Sequence, residues 1–201
     1  VGLGTIISDI IKTNETDKNR MLELWNEYKG DVPIKKTIME NPTKPNNKIA
    51  NDFRATVINQ VDGYMFGTPI KYQISEGLYD ESLTNNSQKE LDRFLQRNSY
   101  KKLDSETGTY ASVCGKAFRL IYFADRIDTD GNKIELIQKN IKPWEACVIN
   151  NATVDEIQYG LIYYKVEYVI DEAGTTNDRY KAEFYDSKFV YYYQETSDGN
   201  I

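Results

Sequence analysis

The sequence predicts an α+β fold: N-terminal helices followed by a mainly antiparallel β-sheet. Two observations carry that reading. Up to Gly115 apolar residues recur at helical spacing, and beyond it the period changes to two. Tyrosine is abundant, 16 residues against 7 Phe and 2 Trp, and it favours pleated, half-buried surfaces where the ring packs and the hydroxyl reaches water. Helices in one run and strands in the next make the α+β pattern. The 201 residues suffice for one domain, or one and a fraction, with a real core. Residues 1–47 read as N-terminal helices and a proline-rich arm, and residues 48–201 as the α+β body.

Each element has its own signal. Ile6, Ile7, Ile10 and Ile11 predict a short amphipathic helix, broken by the polar stretch Lys12 to Asp17. Met21, Leu22, Leu24, Trp25 and Tyr28 predict a second helix, stopped at Gly30. Prolines 33, 42 and 45 predict an extended arm over residues 31–47. Ile49, Phe53, Val57, Val61, Tyr64 and Met65 predict the inward face of the next helix, with Asn51, Asp52, Asn59 and Asp62 outward. Asn46 or Asn47 is its expected cap, and Gly67 with Pro69 its stop. Ile70, Tyr72 and Ile74 alternate like a strand.

Ser87-Gln88-Lys89-Glu90 reads as a capping box that opens a short helix through Leu91, Phe94 and Leu95 to about Asn98. Another helix is expected from about Lys101 to Cys114, with Leu103, Tyr110 and Cys114 inward. Phe118, Leu120 and Tyr122 then alternate, Asp130-Gly131 marks a turn, and Ile134 to Gln138 begins the return strand. Further strands are expected over Trp144–Ile149, Gly160–Ile170, Tyr180–Tyr185 and Phe189–Gln194, with residues 171–178 as a polar hairpin loop.

Composition narrows the function. There is no histidine, which removes the commonest general base and the commonest metal ligand. Cys114 and Cys147 are far apart without metal-ligand spacing and read as reduced, buried thiols. No apolar run approaches membrane-spanning length. The apolar start lacks the basic flank and cleavage site of a signal peptide. A net charge of −6 gives no global attraction for DNA, since phosphate contacts need Lys and Arg.

Candidate sites are few. Asp125, Asp128 and Asp130 suggest a calcium loop, but Arg126 intrudes and the ligand pattern fails. Neither GxGxxG nor GxxxxGK[ST] is present. Lys35, Lys36, Lys44, Lys48 and Arg54 form a modest basic cluster, which reads as a solvated face, as partners of nearby acids, or as a contact to DNA backbone. Catalytic, cofactor-binding and metal-binding residues are therefore none, and nucleic-acid-binding residues are undetermined.

Four segments carry a resemblance. They are Tyr28-Lys29-Gly30-Asp31 with Ile34; Lys44-Pro45-Asn46-Asn47-Lys48-Ile49 with Phe53 and Gly63-Tyr64-Met65-Phe66-Gly67-Thr68-Pro69-Ile70; Asn98 with Tyr110-Ala111-Ser112-Val113-Cys114-Gly115-Lys116-Ala117; and Tyr163-Tyr164 after the loop containing Pro143. In this order they resemble the portal proteins of tailed bacteriophages of the siphophage and prophage type. The resemblance implies a non-catalytic structural subunit without cofactor, part of a dodecameric ring at one capsid vertex. DNA would be packaged and ejected through that ring. It implies self-association, with terminase, capsid or scaffold and head–tail adaptor proteins as partners of the full-length protein. It also implies transient contact with double-stranded DNA, no membrane, and a place in the virion after assembly in the host cytoplasm. This stretch resembles the N-terminal part of the portal wing, so the stem, clip and crown are expected to be missing from it. The competing reading is a phage or prophage minor head or adaptor module that binds without catalysis.

Overall fold

The computed structural model describes residues 2–36, 48, 52–75, 81–125, 134–151, 157–169 and 176–195. Helices come first and antiparallel strands follow, as an α+β chain requires. The chain gathers into two compact units: Val1–Glu23 with Ile141–Ile201, and Leu24–Asn140.

The first unit rests on helix α1, Leu3–Tyr28, one continuous helix rather than two, whose residues from Leu24 on belong to the second unit. The stretch Lys12–Asp17 is polar but holds neither Gly nor Pro, and polarity alone does not stop a helix. Among its buried and half-buried residues Leu3, Ile7, Ile11, Asn14, Lys18 and Met21 keep steps of three and four straight through the polar stretch. Lys18 belongs on this stripe because its ammonium lies 4.5 Å from the Tyr163 ring centre and 5.7 Å from that of Tyr180. Burial lowers its pKa, with Glu145 and Glu15 opposing.

Four strands complete the unit: β3 Ala146–Asn150, β4 Ile157–Val169, β5 Thr176–Tyr185 and β6 Val190–Gln194. They pair antiparallel in the order β3-β4-β5-β6. Trp144 and Glu145, expected to begin a strand, belong instead to a 3-10 turn, Pro143–Glu145, since Pro143 opens it and cannot donate to a ladder. Alternation along β4 puts Leu161 beside Ala182 and Phe184 in one core with Ile7 of α1. Tyr163 stacks on Tyr180 at 4.9 Å and Tyr159 on Phe184 at 5.2 Å. On the other face Tyr164 and Tyr185 both donate to the Glu183 carboxylate, at 2.8 and 2.6 Å. Much of the tyrosine excess thus packs or staples this sheet. Tyr192, 76% exposed, does not.

The second unit holds the short α2 Pro33–Lys36, α3 Phe53–Phe66, α4 Glu81–Arg97, α5 Tyr100–Cys114, and strands β1 Phe118–Asp125 and β2 Ile134–Ile141, whose last residue belongs to the first unit. β1 and β2 make a two-stranded sheet. Helix α1 ends at Tyr28 and Gly30 follows with φ +83, and α5 ends at Gly115 with φ +76, both left-handed positions suited to glycine.

Three expectations need correction here. The expected extended arm begins with α2, because proline is favoured in a first helical turn. Ser87 is not a cap; α4 already runs from Glu81, and Gln88 turns sideways to bond the backbone of Tyr72 and Ile74. The segment Ile70–Ile74 is consequently pinned to α4 and is not a strand.

The largest correction concerns α3. Its cap is Asp52, which accepts from the Ala55 amide at 3.0 Å. Asn46, Asn47, Ile49 and Asn51 lie outside the described residues. The expected inward residues Phe53, Val57, Val61, Tyr64 and Met65 are 44 to 92% exposed. The stripe that turns in is Ala55, Ile58, Asp62 and Phe66. Helical periodicity defines two faces but does not say which one finds a partner. Here it is the face that carries Asp62 among Ala55, Ile58 and Phe66: Asp62 takes hydrogen bonds from Thr109 and Ser112 of α5 at 2.6 and 3.1 Å. Asn59 takes one from the Tyr28 hydroxyl at 2.7 Å.

Candidate functional site

Asp104 is the most enclosed charge among the described residues of the second unit, 6% exposed on α5. Such a carboxylate must be paired. Arg119, the one charged residue inside the apolar run Phe118–Ala124 of β1, supplies the partner. Its Nη1 lies 2.8 Å from Asp104 Oδ1, its Nη2 donates to Thr107 at 2.6 Å and its Nε to Asn140 at 3.0 Å. The Tyr72 hydroxyl donates to Asp104 Oδ2 at 2.8 Å. Burial and the Asp104 carboxylate raise the Tyr72 pKa. Asn140 closes the set by donating to the Leu103 carbonyl and to Glu106. This network ties the extended segment, α5, β1 and β2 together.

Beside it opens a cleft of about 410 Å³ between α3 and α5, lined by Met65, Phe66, Ile70 and Tyr72 on one side and Thr107, Gly108 and Ala111 on the other. Gly108 matters sterically: a methyl group there would overlap the Phe66 ring. Arg119 and Asp104 reach this cleft, but each is already bonded to protein partners. Asn98 makes a comparable anchor between helix and sheet. It follows α4, next to Ser99 at φ 52, and its side chain bonds the Leu136 carbonyl and the Gln138 amide.

The residues singled out in the sequence are placed as follows. Lys35 donates to the Gly30 carbonyl at 2.6 Å, and Lys48 to the Lys35 carbonyl at 2.8 Å. Lys36 pairs with Asp31 at 2.8 Å and Arg54 with Glu27. Lys44 lies outside the described residues. Four of the five cations are therefore engaged locally, in exposed contacts that add little stability each. Asp125 ends β1, while Asp128 and Asp130 lie outside the described residues, as does the turn at Gly131. No group of three candidate ligands for a metal ion occurs among the described residues. Cys114 is buried and Cys147 half-buried, and the two are not joined in a disulfide. No described helix is long and apolar enough to cross a membrane.

Sequence reasoning missed the roles of Asp62, Asp104 and Tyr72. Arg119 carried a readable signal, a cation inside an apolar strand, which calls for a buried anion. Nothing in the sequence singled out Asp104 as that anion among the charges of α5.

Helices stapled to small sheets by buried polar bonds describe an α+β structural scaffold. The chain belongs to the phage portal proteins: the profile of the family described as Phage portal protein, SPP1 Gp6-like matches residues 7–201. Its role is that of a structural component of the bacteriophage portal. A comparison with curated proteins finds no match.

Proposed function

We propose that this chain is a wing portion of a portal subunit that closes into a dodecameric ring at one capsid vertex. Double-stranded DNA is packaged and later ejected through that ring. The observation that carries the reading is the family match, which extends over nearly the whole chain. The role is structural and not enzymatic, in keeping with the family and with a sequence free of histidine. DNA contact through this part is weak and without sequence preference, since the net charge is −6. Terminase, capsid or scaffold and head–tail adaptor proteins engage the full-length protein, whose stem, clip and crown carry the docking and channel surfaces. The protein assembles in the host cytoplasm and resides in the virion.

Electron microscopy of the purified full-length protein tests this. Rings with twelvefold symmetry are expected, together with immunogold label at a single vertex of the virion. A protein that stays monomeric under packaging conditions, or label spread over the capsid, would overturn the reading.

A further inference from the structure

We propose that the outward face of α3 is a seat for a second copy of this chain, reached head to tail by a different patch of the neighbour. The inference rests on the ring reading above and names one of its contacts.

Its first support is the inverted helix. Asp62 of α3 is buried and bonded to α5, and Asn59 accepts from the Tyr28 hydroxyl, so the stripe from Phe53 to Met65 is turned out. Phe53 is 73% exposed, Val57 60%, Val61 44%, Tyr64 92% and Met65 61%. They follow one another at steps of four, four, three and one, a stripe along the helix.

The second support is charge. Two copies at −6 each repel one another. Contact between them is least opposed at surface without acidic groups, and this stripe has none. It has no cation either. Arg54 beside it is paired with Glu27, so the face offers nothing to a phosphate backbone.

The third support is area. Taking an aromatic side chain as about 200 Å², Phe53 and Tyr64 at 73 and 92% exposure present roughly 300 Å². Val57, Val61 and Met65 bring the stripe to roughly 500 Å². A stable standard interface takes about 800 Å² from each partner. The stripe alone therefore falls short of a lasting dimer. It suits one contact among several in a closed assembly, where each subunit meets two neighbours through unlike patches.

The test uses the full-length protein. One form carries the photocrosslinker benzoylphenylalanine in place of Tyr64, and another carries Val57→Asp and Val61→Asp. The crosslinker is expected to join a second copy at a segment other than α3. The aspartate variant is expected to keep the wild-type thermal melt and to lower the ring yield by about tenfold or more, as for a contact near a hot spot. Wild-type protein that forms no ring would overturn both the ring reading and this seat. Normal rings from the aspartate variant would overturn the seat alone. So would a crosslink to residues 37–51 of the same chain, which would show a segment of its own covering the face. A crosslink from α3 to α3 would replace the head-to-tail contact by a symmetric pair and overturn the proposal. A crosslink to a different protein would overturn it too.

Discussion

Asp104 and Arg119 show how much one pair can hold. The carboxylate is 6% exposed and takes bonds from Arg119 and Tyr72. Removing the cation alone leaves a buried charge without its main partner, which costs about 3 kcal/mol or more. Arg119→Met is therefore expected to lower the urea midpoint strongly. Arg119→Met with Asp104→Leu should recover part of the loss, because no charge is then stranded. A single-variant loss below ~1 kcal/mol would mean that the pair is solvated. Cys114 makes a second test. Burial raises its thiol from near 9 to about 11. A raised folded value means that the contribution is complete below pH 9 and is lost as pH climbs toward about 11. Tyr163, raised to about 12 by burial, extends the decline upward from 10. Urea midpoints measured in steps across this range should fall for the wild type, and Cys114→Ala should fall less over the first part. A flat wild-type profile would contradict both assignments.

At the scale of elements, the α3–α5 contact follows from two small features. Phe66 lies where only Gly108 leaves room, and Asp62 lies where Thr109 and Ser112 can reach it. Gly108→Ala gains about 1 kcal/mol of helix propensity. It must also displace an aromatic ring, at a typical cost of about 1–3 kcal/mol, so a net loss is expected. By contrast Phe53→Ala should lower the stability of this chain by less than ~1 kcal/mol, since Phe53 is 73% exposed. Denaturant melts of the two variants decide the orientation of α3; a reversed order of losses would restore the face that periodicity suggested. The elements legible in the sequence were those with punctuation or a period of two: the stops at Gly30 and Gly115, and the strand expected over Gly160–Ile170, which is β4. What stayed illegible needed tertiary partners. Lys18 keeps α1 on its sheet only because Tyr163 and Tyr180 lie beneath it. Asp62 turns α3 over only because two hydroxyls wait on α5, 47 and 50 residues further along the chain.

For the whole molecule, the question is what drives copies together. Each unit has internal anchors of its own: the Ile7, Leu161, Ala182 and Phe184 core in the first, the Asp104 and Asp62 networks in the second. Neither unit therefore depends on a neighbour for its internal packing. The apolar surface left on α3 amounts to roughly 500 Å², below the area that sustains a stable pair. Residues 1–201 alone are accordingly expected to be a monomer or a loose oligomer at micromolar concentration. The sign of the salt dependence separates the forces. Copies at −6 repel at low ionic strength, and salt screens that repulsion while leaving apolar contact intact. Association should thus strengthen as sodium chloride is raised. Binding to DNA should weaken, because each phosphate contact releases counterions. Analytical ultracentrifugation across a salt series, with and without duplex DNA, reads both trends. Self-association that falls with salt would assign the contact to ion pairs rather than to the α3 stripe. A stable dodecamer at every salt concentration would show that this part of the chain carries assembly by itself.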